Sequence, residues 1–153
     1  MIFLECNMDQ MLIKSLGFSR KQISHQRCKG EVVKQVGRSQ GGIGIIDEDP
    51  GSPPPDEMKN YSKNQSKGTI KLFTNSNDKK KNLVQISPYL EHWLLERAKI
   101  NKIRPEKSWG DPRKLHGLTR LEKNKKFQEF LNDLIAVDTE TQTLKKWIED
   151  ALE

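Results

Sequence analysis

The sequence predicts an α/β fold, with a mostly parallel sheet flanked by helices and a helical C-terminal extension. Three observations indicate this class. Short apolar segments alternate with amphipathic helical segments up to residue 46. One of them, Ile43–Ile46, is apolar on both faces, which is typical of a strand inside a parallel sheet. The C-terminal third, by contrast, carries its apolar residues at helical spacing.

The first part of the chain reads as strand, helix, strand, helix, strand, a succession that favours right-handed crossovers between parallel strands. Apolar runs mark the strands, and capping residues and glycines mark the helix ends. In chain order, the predicted elements are a strand at Ile2–Leu4, a helix that Asn7 caps and Gly17 ends, a weak strand around Ile23, a helix at Glu31–Val36 and a strand at Ile43–Ile46.

The middle of the chain begins with a change in composition. Residues 50–68, PGSPPPDEMKNYSKNQSKG, are rich in Pro, Ser, Asn and Lys and predict a mobile loop. Two strands are expected next, at Thr69–Phe73 and Leu83–Ile86. Ser87 and Pro88 then suit the N-cap and first turn of a helix. The predicted buried stripe of this helix consists of Leu90, Trp93, Leu94, Arg97 and Ala98.

The C-terminal part predicts helices after a basic, irregular connector at 101–124. We therefore divide the chain into an α/β domain at 1–100 and a connector with C-terminal helices at 101–153, packed on the same domain or on a partner. The two helical stripes consist of Phe127, Phe130, Leu131, Leu134 and Ile135, and of Leu144, Trp147, Ile148 and Ala151.

Composition narrows the class of protein. The chain has 153 residues and a net charge of +6, with 33% hydrophobic and 31% charged residues. Two cysteines, Cys6 and Cys28, are too few for a disulfide framework and are expected to be buried thiols. The start, MIFLEC, does not resemble a signal peptide, and no apolar stretch reaches the roughly 20 residues of a membrane span. We expect a soluble, cytoplasmic protein.

Basic residues suggest a polyanionic partner. They concentrate in the segments Lys14–Arg38, Lys79–Lys81 and Lys99–Lys126. A solvated face is the ordinary meaning of such charge, but beside a metal site it indicates phosphate contacts. Trp109 either stacks on a base or packs onto the sheet.

Carboxylates follow two of the predicted strands. Glu5 comes directly after the first strand, and Asp47 and Asp49 follow the third. Ligands of such sheets bind beyond the carboxyl ends of the strands, and side chains two residues apart on extended backbone point to the same side. If the two strands are neighbours, the three acids meet and raise one another's pKa unless a cation compensates them. Mg²⁺ prefers oxygen ligands of this kind, so the sequence predicts a metal site.

The same residues carry a family resemblance. FLECNMDQML, then KG at Lys29 and Gly30, then GIIDEDPG together resemble the Toprim domain, which has a glutamate after its first strand and an Asp-x-Asp motif after its third. Toprim domains occur in topoisomerases, primases, OLD-family nucleases and small nuclease-like proteins. The resemblance covers roughly residues 1–100. Cys6 departs from it, because the family glutamate is usually followed by glycine.

The resemblance implies a Toprim-like, Rossmann-like fold and an Mg²⁺- or Mn²⁺-dependent nuclease that cleaves DNA or RNA. Asp47 and Asp49 would hold the metal, and Glu5 would act as a general base or as a ligand of a second ion. Lys29 would stabilise the charge of the transition state. The further acids matching relatives are Asp9, four residues after Glu5, and Glu91 in SPYLEHWLL.

The resemblance also implies partners. Small relatives are commonly encoded beside an ATPase of the OLD or SMC-like type in bacterial anti-phage systems, which suggests an effector subunit with such a partner. Self-association is compatible with the same role.

Blander explanations compete with this one. Asp9 and Glu91 both lie early in predicted helices, where the helix dipole favours acids without any metal. A non-catalytic Toprim-like subunit for binding or assembly is the main alternative function. A phosphatase-type enzyme is a weaker one, because it needs a nucleophilic aspartate after the first strand, where this chain has Glu5.

Overall fold

The computed structural model describes residues 1–153 and contains one six-stranded mixed sheet. Four neighbouring strands pair in parallel, and two further strands extend one side of the sheet through antiparallel pairing. The strands are β1 (Ile2–Leu4), β2 (Ile23–His25), β3 (Gly42–Asp47), β4 (Tyr61–Lys67), β5 (Ile70–Asn75) and β6 (Lys81–Ile86). Their spatial order is β2-β1-β3-β6-β5-β4. The structure confirms the predicted α/β class and its largely parallel sheet.

Six α-helices surround the sheet. They are α1 (Asn7–Ser15), α2 (Lys29–Arg38), α3 (Leu90–Ile100), α4 (Pro112–His116), α5 (Lys125–Val137) and α6 (Thr139–Leu152). One face of the sheet is covered by α2, and the other by α1, α3 and the C-terminal helices. None of the helices combines the length and the apolar character needed to span a membrane.

The central strand β3 shows why both faces of the sheet can be covered. Its side chains alternate, so that Ile43 and Ile45 enter the large core while Ile46 enters the smaller one beneath α2. Gly44 points toward α2, where an added Cβ would lie 2.8 Å from side-chain atoms of both Val32 and Leu83. Glycine at this position therefore permits the close approach of α2 to the sheet.

The C-terminal helices pack on the α/β layer through a single core. Residues of α5 and α6 belong to the same buried cluster as strands β1, β3 and β6. A buried polar network reinforces this contact: Arg97 on α3 pairs with Asp138 at 2.7 Å and with Glu140. Glu140 also accepts hydrogen bonds from Trp93 and from Thr69, before β5.

The predicted loop at 50–68 is wrong in its second half. Residues Asp56–Asn60 form a 3-10 helix and Tyr61–Lys67 form the edge strand β4. All residues of β4 except Tyr61 are exposed, so the strand has no apolar alternation for a sequence reading to detect. It forms because its backbone pairs with β5.

Three helix starts also differ from prediction. Helix α2 begins at Lys29, two residues before the expected Glu31. Cys6, not Asn7, caps α1. Helix α3 begins at Leu90 after the cap Tyr89, two residues later than expected. The reason is that Pro88 is engaged elsewhere: its carbonyl accepts the backbone N–H of Asp49 at 3.1 Å. The expected inward stripe of α3 is otherwise confirmed, with Leu90, Trp93, Leu94 and Ala98 buried and Arg97 largely so.

Candidate active site

The predicted acids lie at one end of the sheet. Strands β1 and β3 pair directly and in parallel, with Ile2 opposite Ile43. Glu5 directly follows β1, and Asp47 is the last residue of β3. Because parallel neighbours end at the same edge, the two acids come from adjacent strand ends. Asp49 follows two residues later, while Asp9 and Glu91 occupy the first turns of α1 and α3.

The turn after β3 differs from the extended backbone that the sequence suggested. The strand ends at Asp47, and Asp49 has a positive φ of 49° in the left-handed region. Strand alternation therefore does not orient Asp49. Hydrogen bonds do so instead: the Tyr89 hydroxyl donates to its Oδ1 at 3.0 Å, and the backbone N–H of Leu90 donates to Oδ1 of Asp47 at 3.2 Å. The amino end of α3 thus holds both aspartates.

Cys6 and Asp9 form a reciprocal cap at the start of α1. The Cys6 backbone N–H donates to Asp9 Oδ2 at 3.2 Å, and the Asp9 backbone N–H donates to Cys6 Sγ at 3.3 Å. Cys6 has φ −126° and ψ 164°, a conformation open to any residue. The turn after Glu5 therefore does not require the glycine that Toprim domains usually have. Burial raises the pKa of the Cys6 thiol, whereas Cys28 is exposed, contrary to prediction.

The acids influence one another's pKa. Burial is the largest cause for Asp47, followed by repulsion from Asp9, Glu91 and Glu5, and these raise its pKa to about 8. Burial also raises the pKa of Asp9 to about 7, with a contribution from Glu5. The pKa of Glu5 is raised by burial and by the charges of Asp49 and Glu91. The five carboxylates thus interact electrostatically as one cluster, in which mutual repulsion favours the protonated forms.

Lys29 is the cation that faces this cluster. Its backbone N–H and its ammonium charge both lower the pKa of Glu5, which opposes the effect of burial. Its Nζ donates to the backbone carbonyl of Glu48 at 2.7 Å, which ties the start of α2 to the turn after β3. The structure therefore places Lys29 beside the predicted acids, as a phosphate-stabilising role requires.

Two side chains of the site were missed by sequence reasoning. His116, at the end of α4, has its Nδ1 3.0 Å from Oε1 of the buried Glu91. Tyr89 binds Asp49 as described. No motif links His116 to Glu91, because the pair joins α4 to α3 across 25 positions. Tyr89 carried only the weak signal of adjoining the predicted helix start.

The chemistry of these acids suits a hard divalent cation, but the positions of their side chains do not form a coordination site. Carboxylate oxygens are the ligands that Mg²⁺ prefers, and a bound ion would lower the raised pKa values of these acids. In the side-chain conformations of the structure, however, no three His, Cys, Asp or Glu side chains converge closely enough to hold one ion. Four of the acids instead bind groups of the protein itself, as given above for Asp9, Asp47, Asp49 and Glu91.

The basic segments lie in different places. Lys79–Lys81 precede and begin β6, at the amino end of that parallel strand and therefore away from the acids.

Trp109 is buried, with its ring centroid 5.1 Å from that of Phe130 and 5.6 Å from that of Phe127. Of the two alternatives for Trp109, packing is the one realised, against α5 rather than directly on the sheet.

Comparison with models of protein families, with curated proteins and with solved structures finds no match for this chain.

Proposed function

We propose that the protein is a Toprim-like, Mg²⁺- or Mn²⁺-dependent nuclease that cleaves phosphodiester bonds of DNA or RNA. One observation carries the proposal: Glu5 and the pair Asp47 and Asp49 follow adjacent parallel strands and interact electrostatically at the same edge of the sheet. This is the order of acids, glutamate after the first strand and Asp-x-Asp after the third, that the resemblance to Toprim domains implies.

The roles follow from position and charge. Asp47, Asp49 and Glu5 would hold the metal, with Asp9 and Glu91 as further acids of the cluster. An ion held by these acids would supply Lewis-acid chemistry for the phosphate and a water molecule. Glu5, whose pKa is raised by burial, is suited to take the proton from the attacking water. The Lys29 ammonium beside it would stabilise negative charge on the reacting phosphate.

Cleavage assays test this proposal directly. Wild-type protein should cut plasmid or single-stranded substrate with Mg²⁺ or Mn²⁺ and not with EDTA. Asp47→Ala should lower the rate by about a hundredfold or more, the scale of losing a group that acts in the transition state. Glu48→Ala is the matched control, because only the backbone of Glu48 contacts the site, and it should cut normally. Wild-type protein that cuts nothing, alone or with its partner, contradicts the proposal.

The biological role that we propose is that of an effector subunit of an ATPase-associated anti-phage system. The support is the resemblance to small OLD-related Toprim-like proteins. The partner would be an OLD- or SMC-like ATPase, with or without self-association of this chain. Cleavage by protein isolated together with its bound partner should then depend on ATP, and cleavage indifferent to ATP would contradict this role.

A non-catalytic binding or assembly subunit is the second candidate. It is favoured by the hydrogen bonds that already occupy Asp47, Asp49, Asp9 and Glu91, and by the lack of three converging ligands. Such a subunit takes up no Mg²⁺. Its partner binding would survive replacement of Asp47 and Asp49 by Asn, which preserves the hydrogen bonds and removes the charge.

A further inference from the structure

A groove lies along the exposed side of α3 and has two neighbouring chambers. The larger, of about 910 Å³, lies between α3 and the segment 102–112. Ser87 also lines this chamber, and its buried hydroxyl has no hydrogen-bond partner. The smaller, of about 470 Å³, lies between the start of α3 and α4. The two chambers adjoin each other, since both are lined by His92, Asp111 and Pro112.

The smaller chamber adjoins the candidate active site. Tyr89, Glu91 and His116 are among its lining residues. Tyr89 holds Asp49 through its hydroxyl, and Glu91 is one of the five interacting acids. A molecule that occupies the groove therefore extends to the acids that we assign to catalysis.

The walls of the groove carry unpaired positive charge. Lys99, Lys102, Arg104 and Arg113 line the two chambers, all four are exposed, and none forms a salt bridge. The acids among the lining residues are mostly engaged: Glu91 with His116 and Asp111 with the start of α4. Only Glu96 faces the larger chamber without a partner. Positive charge that no protein acid neutralises favours a bound polyanion.

The groove also offers surfaces on which bases stack. Tyr89 and His92 form an aromatic pair with centroids 5.3 Å apart at the junction of the chambers. Leu95, Ile103 and Pro105 add apolar surface in the larger chamber. Aromatic faces beside a positively charged groove are the arrangement by which proteins bind single strands without reading their sequence.

We propose that this groove binds single-stranded nucleic acid, with phosphates on Lys99, Lys102, Arg104 and Arg113 and a base against Tyr89 and His92. The chamber volumes are those of pockets for small ligands, and a duplex does not present its base faces to such a surface. Delivery of the strand to the acids rests on the proposed nuclease function. Binding itself does not.

Fluorescence anisotropy with labelled oligo-dT, oligo-rU and a duplex of the same length, in EDTA, tests the groove without cleavage. The variant is Lys99→Glu with Lys102→Glu. Its matched control is Lys79→Glu with Lys80→Glu, which changes the charge equally at the opposite end of the sheet. All four lysines are exposed and unpaired, and thermal unfolding of both variants verifies that they remain folded.

Wild-type protein should bind at least one single strand more tightly than the duplex. The groove variant should lose about tenfold in affinity, and its log–log salt slope should fall by about 1.4, since each phosphate contact on a single strand contributes roughly 0.7. The control should bind like wild type. Equal losses in the two variants, duplex binding as tight as single-strand binding, or no binding at all would overturn the proposal.

The two proposals fail separately. Asp47→Ala should abolish cleavage while leaving single-strand binding intact. A protein that binds strands in the groove but never cuts them would support the groove proposal and contradict the nuclease proposal. Cleavage at an unchanged rate after the Lys99 and Lys102 replacements would support the nuclease and contradict delivery of the strand through the groove.

Discussion

At the scale of single residues, Asp47 and Asp9 each combine a hydrogen bond at a helix start with a raised pKa. Each accepts a backbone N–H at the start of a helix, which is a structural role. Each also has its pKa raised, to about 8 and about 7, by burial and by neighbouring acids. A purely structural cap has no need of repulsive neighbours. The crowding is therefore the feature that favours a ligand over a capping role alone.

This crowding predicts how stability depends on pH. A carboxylate whose pKa is higher in the folded than in the unfolded protein stabilises the fold at pH below its ordinary value, and this stability is lost as pH rises through the folded-state value. For Asp47 the window extends from about 4 to about 8. Without metal, the free energy of unfolding should fall by about 1–3 kcal/mol between pH 5 and pH 8.

Urea unfolding in EDTA at these two pH values measures the effect. Asp47→Asn keeps an oxygen that can accept the Leu90 N–H and removes the ionisable group, so it should weaken the pH dependence and be more stable than wild type at pH 8. Asp56→Asn, at an exposed position, is the control. A pH dependence identical in wild type and Asp47→Asn would show that Asp47 titrates normally.

At this scale the sequence indicated which acids lie near one another, but not how their side chains are oriented. The position of Glu5, Asp47 and Asp49 at one edge of the sheet was predictable, because acids directly follow apolar strands. The left-handed turn at Asp49 and the partners Tyr89 and His116 were not predictable, because they depend on where α3 and α4 lie in space. A single sequence contains no record of such long-range contacts.

At the scale of elements, α3 connects the candidate site with the C-terminal helices. Its first turn holds Asp47, and its last turn carries Arg97 between the buried carboxylates of Asp138 and Glu140. Asp138 also caps α6 by accepting the Thr141 N–H at 2.8 Å. One guanidinium thus fixes the junction of α5 and α6 against the helix that orients the acids.

Removing this guanidinium should be costly. Arg97→Met preserves much of the side-chain volume but leaves two buried carboxylates without their cation. A loss of about 3–5 kcal/mol in the free energy of unfolding is expected. Lys99→Met, an exposed change on the same helix, should cost less than about 0.5 kcal/mol. Denaturant unfolding of the two variants measures the difference, and similar stabilities would contradict the role given to Arg97.

The elements themselves were largely predictable where hydrophobic periodicity exists. The strands β1, β3 and β6 were expected close to their observed bounds, and α2 extends two residues beyond its expected range at each end. The two predicted C-terminal stripes lie within α5 and α6. The strand β4 escaped because its residues, Tyr61 apart, are exposed, and the start of α3 was misplaced because Pro88 serves the turn after β3. Patterns of burial reveal elements, whereas backbone pairing at an edge leaves little trace in sequence.

At the scale of the whole molecule, charge is distributed unevenly around one edge of the sheet. The chain as a whole has a net charge of +6, yet five interacting acids cluster at this edge. The groove lined by Lys99, Lys102, Arg104 and Arg113 lies beside that cluster. A basic approach to an acidic centre suits a metal-dependent enzyme acting on a polyanion, since a bound metal would offset the negative charge of the centre itself.

The central claim is that these acids bind a divalent cation, and calorimetric titration of the metal-free protein with Mg²⁺ or Mn²⁺ at pH 8 tests it most directly. We predict saturable binding in wild type and in Glu48→Ala, with proton release, and at least tenfold weaker binding when Asp47 and Asp49 are both replaced by Asn. Absence of saturable uptake by the wild-type protein, or uptake unchanged by the double replacement, would contradict the account.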